Sequence, residues 1–209
     1  MKLTIFGATG RTGQHLVEQA LARGHQVTAF TRSPQKLAAY RDRLHIVQGD
    51  VQDSGAVKRA VAGADAVISV LGPTQNTPDY QITRGTGHIL DAMKKHGVRR
   101  LVISAGAGVG DPQDEPKLFN KLINVLLKLV SRHVYEDMKR TVDTVRSSDV
   151  DWTVVRVPML TDGPAKGHVK TGYVGKGMGP RITRADMASF MLDQVESDAY
   201  LHKAPAISN

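Results

Sequence analysis

The first thirteen residues constrain the fold more than any other part of the chain. Residues 2–6 form an apolar β-type run that leads directly into three glycines, Gly7, Gly10 and Gly13. Residues 14–21 then carry apolar side chains at helical spacing. A strand, a tight glycine turn and a helix in this order predict backbone N–H groups at the positive end of a helix dipole, where a pyrophosphate can bind. The alternative is a glycine-rich turn that holds no ligand.

The remainder of the chain continues to alternate between strand-like and helix-like patterns. The predicted strands cover residues 2–6, 26–30, 44–51, 66–73, 100–104 and 152–158, and short strands are expected in the glycine-rich stretch 163–179. The predicted helices cover residues 14–21, 54–62 with Asp53 or Ser54 as the cap, 83–96, 117–130, 134–147 and 183–195. This alternation predicts an α/β fold, a Rossmann-type doubly wound parallel sheet with helices on both faces. We expect one domain, 1–209, whose portion from about 157 to 209 lies on the substrate side.

Composition narrows the class of protein further. A chain of 209 residues with 41% hydrophobic residues suits one domain with a full core. It has no cysteine, which excludes disulfides, thiolate metal sites and a cysteine nucleophile. No apolar run is long enough to span a bilayer, no residue spacing suggests a metal site, and the chain begins directly with a core strand. We therefore expect a cytoplasmic protein without a signal peptide.

The net charge of +8 has two interpretations. A basic surface can bind nucleic acid, or it can attract an anionic cofactor and substrate. The basic residues are scattered, without interleaved aromatic residues or a nucleic-acid motif, so nucleic acid is not an expected partner. We expect a small-molecule partner instead.

The end of the second predicted strand indicates which dinucleotide the chain prefers. An acidic residue about 20 residues beyond the glycines marks NAD-binding units, where it binds the ribose hydroxyls. Here Arg32 takes that place, followed by Ser33 and Lys36, with Arg11 inside the glycine turn. A guanidinium can bind a 2′-phosphate bidentately, whereas a carboxylate repels it. The pattern therefore favours NADP(H), the alternative being that Arg32 is simply solvated.

These motifs resemble a known family over nearly the whole chain. The turn Gly-Ala-Thr-Gly-Arg-Thr-Gly at 7–13 is similar to the glycine pattern of atypical short-chain dehydrogenase/reductases, and further similar segments are 49–51, 61–68, 92–98, 179–182 and 186–192. The chain resembles the NAD(P)H-binding, NmrA-like group, and within it most resembles the biliverdin-IXβ reductases, which are also flavin reductases. The segment 117–130 is the least similar; its apolar residues suggest a lid over the substrate cleft, a dimer face or a membrane-surface contact.

The resemblance implies a role for each part of the cofactor site. The pyrophosphate would be held by Gly7, Thr9, Gly10, Arg11, Thr12 and Gly13. The 2′-phosphate would be held by Arg32, Ser33 and Lys36, and the adenine would be flanked by Asp50 and Val51. Leu71 and Gly72 would line the ribose, and the nicotinamide would be lined by Ser104, Ala105, Pro158 and Met159.

The chain departs from the family at two positions. The family serine two residues beyond Ser104 is Gly106 here, and the histidine after the strand-six proline is Met159. These departures weigh against biliverdin itself as acceptor. Hydride transfer to a flavin-like ring mainly needs stacking geometry, so an NADPH-dependent reductase of flavins, quinones or similar flat acceptors remains the first hypothesis.

A second constellation supports a different chemistry. Tyr135 and Lys139 form a Tyr-x-x-x-Lys pair on one helix face, and Ser104 ends the fifth predicted strand. In typical short-chain dehydrogenases such a set is catalytic, because the lysine lowers the tyrosine pKa. The alternative is a surface tyrosine beside a helix lysine. The remaining hypotheses are therefore a Ser-Tyr-Lys carbonyl reductase or epimerase, and a non-catalytic NADP(H) sensor. Whatever its function, we expect the protein to be a monomer or a homodimer.

Overall fold

The structure, a computed structural model, describes residues 1–73, 75–116 and 130–209. The strands are β1 Lys2–Phe6, β2 Gln26–Thr31, β3 His45–Gln48, β4 Ala66–Ser69, β5 Arg100–Gly106, β6 Asp151–Val157, β7 Met159–Thr161, β8 Lys170–Gly172, β9 Arg181–Thr183 and β10 Ala206–Ser208. The helices are α1 Arg11–Ala22, α2 Ser54–Val61, α3 Gln81–His96, α4 Arg132–Arg146 and α5 Arg184–Glu196, with short 3-10 segments at Pro34–Arg43 and Ala107–Val109.

Eight of these strands form the central sheet, in the order β3-β2-β1-β4-β5-β6-β10-β8. The first seven run parallel, whereas β8 pairs antiparallel with β10 at the edge. Strands β7 and β9 pair separately as a small two-stranded sheet. The predicted doubly wound α/β fold is confirmed, with one correction: the sheet is mostly rather than wholly parallel, because the chain returns after β6 to add an antiparallel edge.

Hydrophobic cores fill both faces of the sheet. Alternate residues of a strand point to opposite faces, so Ile5 belongs to one core and Phe6 to the other. Helices α1 and α5 cover the Ile5 face and pack against each other, while α2, α3 and α4 cover the Phe6 face. Strands that are buried on both faces carry nearly continuous apolar residues, and Ala66–Ser69, which is fully buried, is such a strand.

Two predicted strands end earlier than their apolar patterns indicate. The predicted strand 44–51 is only β3, because the Asp50 carboxylate accepts a hydrogen bond from the Gln52 N–H at 2.9 Å and turns the chain. The predicted strand 66–73 stops at Ser69, since the residues beyond it turn into the cleft described below.

Several helix boundaries also differ from expectation. Helix α1 begins at Arg11, inside the glycine turn, and α3 begins at Gln81, two residues earlier than predicted. The cap of α2 is Asp53, whose Oδ1 accepts from the N–H groups of Gly55 and Ala56 at 2.9 and 3.1 Å. Gly97 ends α3 in the left-handed conformation, as its position predicts.

The C-terminal portion 157–209 is built into the main fold. Its helix α5 covers one face of the sheet and its strand β10 extends the sheet beyond β6. Stretch 163–179 holds one strand, β8, rather than several. The predicted helix 117–130 falls outside the described residues except for Val130.

Candidate functional site

The glycine turn joins β1 to α1 in a conformation that side chains would prevent. Gly7 has a φ of +81°, and a Cβ there would lie 3.0 Å from the Val70 carbonyl oxygen. A Cβ on Gly13 would lie 2.0 Å from the Gly7 carbonyl oxygen, so this glycine lets the helix pack against the turn. Helix α1 starts after Gly10 with no side-chain cap and no acidic residue in its first turn. Its first N–H groups therefore suit an anionic ligand.

A cleft of about 340 Å³ opens at the carboxyl ends of β1 to β4. Ligands of open α/β sheets bind at this edge, where the strand order reverses. The described residues that line the cleft are Gly7, Thr9, Gly10, Phe30, Thr31, Arg32, Ser33, Lys36, Gly49, Asp50, Val51, Val70, Leu71, Gly72, Pro73, Gln75, Thr77, Asp79, Gln81, Ile82, His133 and Asp137. The cleft thus brings together ten of the residues that the sequence predicts for a cofactor site.

One end of the cleft is cationic. Arg32 and Lys36 line it, and the Arg32 side chain is 65% exposed, with its Nη1 3.6 Å from Asp50 Oδ2. Thr31 holds the backbone here, because its Oγ1 accepts from the Ser33 N–H at 2.9 Å and lies 3.1 Å from Thr9 Oγ1. These contacts hold the Arg32 loop against the glycine turn. A phosphate bound beside Arg32 would therefore lie close to a phosphate bound at the glycine turn.

Helix α3 fixes the opposite wall at Val51. A His88 ring nitrogen lies 2.9 Å from the Val51 carbonyl oxygen, within hydrogen-bond distance. Gly85 brings the helix close, since a Cβ at that position would lie 2.6 Å from the Val51 methyl groups. Val51 is thereby held as a firm apolar surface at the carboxyl end of β3.

These features fit NADP(H). A cofactor-binding cleft must let the pyrophosphate and the ribose approach the backbone closely. Gly72 lines the cleft, and no atom lies within 4 Å of the position that its Cβ would take. A side chain at Gly72 would therefore occupy the cleft. The uncapped start of α1 suits the pyrophosphate, and the cations at Arg32 and Lys36 suit a 2′-phosphate.

Three of the residues predicted to hold the pyrophosphate lie outside this cleft lining. Thr12 and Gly13 are buried in the packing between α1 and the turn. Arg11 is 72% exposed, and its Nη1 lies 3.2 Å from Asp162 Oδ2. Asp162 also accepts from the nearly buried Arg184 at 2.7 Å, so it connects the start of α1 with the start of α5.

The residues predicted to line the nicotinamide lie at the ends of the next two strands. Ser104 is half-buried and pairs with Val155, and Ala105 is buried. Pro158 follows β6, and Met159 begins β7 with a 55% exposed side chain. Because parallel strands bring their carboxyl ends to one edge, these residues lie on the same side of the sheet as the glycine turn. They are not among the described residues that line the cleft, so their role stays a prediction.

The Tyr-x-x-x-Lys pair lies on α4. Lys139 donates to Asp143 Oδ2 at 2.8 Å, and this hydrogen bond together with the Asp143 charge raises the pKa of Lys139. Neither residue belongs to the described lining of the cleft. The structure therefore gives the lysine a carboxylate partner that sequence reasoning missed, and leaves the catalytic assignment of Ser104, Tyr135 and Lys139 a prediction.

Asp137, between Tyr135 and Lys139, has a structural role that the Tyr-x-x-x-Lys motif does not indicate. The residue is only 4% exposed, and its carboxylate accepts from the N–H groups of Ile82 and Thr83 at 3.1 and 2.9 Å. It also accepts from Thr83 Oγ1 at 2.6 Å. Tyr80, the residue before α3, makes no side-chain cap, so Asp137 supplies the cap from a neighbouring helix. An acidic residue on the buried face of α4 was the available sequence signal.

A buried ion pair organises the loop after β5. The Arg156 side chain is fully buried and donates from both terminal nitrogens to Asp114, at 2.6 and 2.8 Å. Burial alone would raise the pKa of Asp114, but hydrogen bonds and charge from Arg156, with backbone N–H groups of Val174 and Asp111, hold that pKa below its usual value. Asp114 lies in the loop after β5 and also accepts from the Val174 N–H, so the pair fixes this loop and the loop after β8 against β6.

The part of the chain that the structure describes holds neither a candidate metal-ion site nor a candidate membrane-spanning helix. No group of histidine, cysteine and acidic residues in the described ranges could hold a metal ion. No helix within those same ranges is long and apolar enough to cross a membrane.

Comparison with known proteins gives a family. A family model described as NAD(P)H-binding matches residues 7–198. An uncharacterised chloroplastic protein of Arabidopsis thaliana is 31% identical over 183 residues, covering 80% of this chain and 62% of the relative. A 3β-hydroxysteroid dehydrogenase/Δ5→4-isomerase of Mycobacterium tuberculosis is 32% identical over 120 residues, covering 52% of this chain and 32% of the relative. The chain thus spans less than two thirds of the length of these curated relatives.

Solved structures establish the fold independently. The oxidoreductase ylbE of Lactococcus lactis matches with a TM-score of 0.83 at 20% identity, over 100% of this chain and 91% of that one. An anaerobilin reductase of Escherichia coli O157:H7 matches with a TM-score of 0.82 at 20% identity, over 100% and 97%. A short-chain dehydrogenase/reductase of Veillonella parvula in complex with NADP matches with a TM-score of 0.81 at 16% identity, over 100% and 94%.

Proposed function

We propose that this chain, which belongs to the NAD(P)H-binding family, is an NADPH-dependent reductase that transfers hydride to a flat acceptor such as a flavin, a quinone or a biliverdin-like tetrapyrrole. The observation that carries the proposal is the cleft itself. It combines a glycine turn, an uncapped helix start and a cationic end on one edge of a parallel sheet. The named relatives and neighbours include dehydrogenases, oxidoreductases and a tetrapyrrole reductase, which supports the same class.

The chain's residues would bind and orient the cofactor along the cleft. Gly7, Thr9 and Gly10 would place the pyrophosphate against the start of α1, and Arg32 with Lys36 would bind the 2′-phosphate. Thr31 supports this geometry, because its hydroxyl connects the loop of Ser33 with Thr9. A pre-ordered loop of this kind loses little conformational freedom on binding.

The wall beyond the ribose would position the reacting rings. NADPH, when bound, supplies the hydride. Ser104 would orient the carboxamide region, and Pro158 with Met159 would shape the surface on which a flat ring stacks. Reduced flavins and quinones take protons readily from solvent, so we propose that no side chain is an indispensable acid. Proximity and stacking geometry then provide the main acceleration.

A tetrapyrrole is a specific candidate within this class. The anaerobilin reductase of Escherichia coli shares the fold over the whole length of this chain. The exposed Met159 next to Pro158 leaves an apolar surface at the end of β6, on which a large flat ring can stack. The family serine and histidine are absent here, which weighs against biliverdin itself and leaves the solvent as the source of the proton.

One observation favours a second candidate, a carbonyl reductase. Tyr135 and Lys139 lie one turn apart on α4, as the Tyr-x-x-x-Lys pair requires. In that mechanism Tyr135 would give a proton to a carbonyl that Ser104 binds. The Lys139–Asp143 pair weighs against it, because the carboxylate neutralises the lysine charge that would activate the tyrosine.

The test is NADPH consumption with acceptors added one at a time: FMN, a quinone, biliverdin and a simple carbonyl compound. We expect turnover with at least one of the flat acceptors and none with the simple carbonyl. Turnover with the carbonyl alone would establish the second candidate. Tight NADPH binding without turnover of any acceptor would refute the reductase and identify an NADP(H) sensor.

A further inference from the structure

The cationic end of the cleft also holds a carboxylate. Asp50 lines the cleft beside Arg32, and its Oδ2 lies 3.6 Å from Arg32 Nη1. The two residues follow neighbouring strands, since Thr31 at the end of β2 pairs with Gln48 at the end of β3. The ends of two parallel strands therefore place an acidic side chain beside the arginine that we propose for the 2′-phosphate.

The position of the Asp50 carboxylate is fixed by its own turn. Its Oδ1 accepts from the Gln52 N–H at 2.9 Å. Gly49, the residue before it, donates to the Thr31 carbonyl at 3.1 Å, and a Cβ on this glycine would lie 2.6 Å from Ala56 Cβ. The turn is thus held against both β2 and α2. Because Oδ1 is used inside the turn, Oδ2 is the oxygen that faces the guanidinium.

The guanidinium, in contrast, can turn toward a ligand. The Arg32 side chain is 65% exposed, and 3.6 Å is longer than a hydrogen bond, so its attraction to Asp50 is mainly Coulombic. Exposed ion pairs of this kind are weak. A phosphate dianion carries more charge and accepts bidentately from a guanidinium, so it would displace the carboxylate as the main partner of Arg32.

A phosphate on Arg32 would still be exposed to the charge of Asp50. Two anions beside one guanidinium lie within the Debye length of about 8 Å at physiological ionic strength, so salt screens their repulsion only in part. NADH carries a neutral ribose hydroxyl at the same position, and a carboxylate can accept a hydrogen bond from it. The charge of Asp50 therefore acts against NADPH and not against NADH.

We infer that Asp50 is a specificity-determining residue: its carboxylate partly neutralises Arg32 and repels the 2′-phosphate, and it thereby limits the preference for NADPH over NADH. The inference rests on the proposed NADPH-dependent function and deepens it, because it assigns opposite effects on cofactor choice to two neighbouring residues of one cleft. A contact between Asp50 and the adenine would be common to both cofactors, so it would leave the ratio of their affinities unchanged.

The test compares Asp50→Asn with the native protein. Asparagine removes the charge but keeps an oxygen that can accept from the Gln52 N–H. The control is Asp79→Asn, since this carboxylate also lines the cleft but accepts from Thr77 Oγ1 and Gln81 Nε2. Cofactor fluorescence gives the Kd values for NADPH and NADH at low salt and at about 1 M salt, where the Debye length falls to about 3 Å. Urea unfolding checks that each variant is folded.

We expect Asp50→Asn to raise the ratio of the NADH Kd to the NADPH Kd about threefold to tenfold at low salt, mainly through tighter NADPH binding. Asp79→Asn should change this ratio by less than about twofold, and high salt should reduce the effect of Asp50→Asn. An unchanged or lower ratio in Asp50→Asn, an equal rise in Asp79→Asn, or a rise that salt does not reduce would each overturn the inference. Failure of NADPH turnover with every acceptor would refute the proposed reductase instead, and these affinities could still be compared.

Discussion

Replacing Asp137 with alanine should destabilise the protein far more than its place inside a Tyr-x-x-x-Lys motif suggests. The carboxylate accepts from two backbone N–H groups and one hydroxyl of α3, and the residue is 4% exposed. Loss of a helix cap costs about 0.5–2 kcal/mol. Buried donors left unpaired cost about 1–3 kcal/mol. Since these contributions overlap, we expect Asp137→Ala to lower the free energy of unfolding by about 2–4 kcal/mol.

The assay is urea unfolding, followed by the fluorescence of the buried Trp152, the single tryptophan of the chain. Asp137→Asn keeps one acceptor oxygen and should lose roughly half as much stability. Asp143→Ala, on the same helix, removes an exposed ion pair to Lys139 and should cost only about 0.3–0.5 kcal/mol. If the free energies of unfolding of Asp137→Ala and Asp143→Ala differed by less than about 0.5 kcal/mol, Asp137 would not cap α3 as described.

Three further predictions concern chemistry, packing and acid stability. Tyr135→Phe should leave flavin or quinone reduction within a few-fold of native, whereas loss of a general acid would slow it about 10²–10⁴-fold; steady-state kinetics decide between them. Gly13→Ala should destabilise the fold by about 1–3 kcal/mol or more in urea unfolding, because its Cβ would lie 2.0 Å from the Gly7 carbonyl oxygen; unchanged stability would contradict this packing. The pKa of Asp114 is lowered in the folded protein, so its pair with Arg156 stabilises fully above the unfolded value of about 3.9 and is lost as pH falls through the folded pKa. Unfolding measured across this acid range should therefore be less pH-dependent in Asp114→Asn than in the native protein, and equal slopes would refute the assignment.

Local patterns were sufficient to predict the repeating part of the fold. The glycine turn, the alternation of strands and helices and the Gly97 stop each depend on neighbours in sequence, and the resemblance to an NAD(P)H-binding family is confirmed. The NAD(P)H cofactor class is confirmed by the same family match. Preference for NADPH, the cytoplasmic location and the oligomeric state stay predictions.

Long-range contacts could not be predicted in the same way. Asp137 contacts α3 across 54 positions of the chain, and Asp114 contacts Arg156 across 42 positions, so the local sequence does not identify the partner in either pair. Strand β10 has only three residues and becomes a strand because β6 and β8 lie on its two sides. The cap that Asn76 supplies to α4 is a contact across 57 positions, so it too appears only in the assembled fold.

The measurement that tests the central claim most directly is the affinity for NADPH and for NADH in the native protein and in Arg32→Ala. Arg43→Ala, at the end of the 3-10 segment Pro34–Arg43 and outside the cleft lining, is the matched control. Cofactor fluorescence titrations should show NADPH binding at least about tenfold more tightly than NADH, because a guanidinium–phosphate pair contributes about 1.5–3 kcal/mol. Arg32→Ala should remove most of that preference and Arg43→Ala should keep it. Equal affinities for the two cofactors in the native protein would contradict the account.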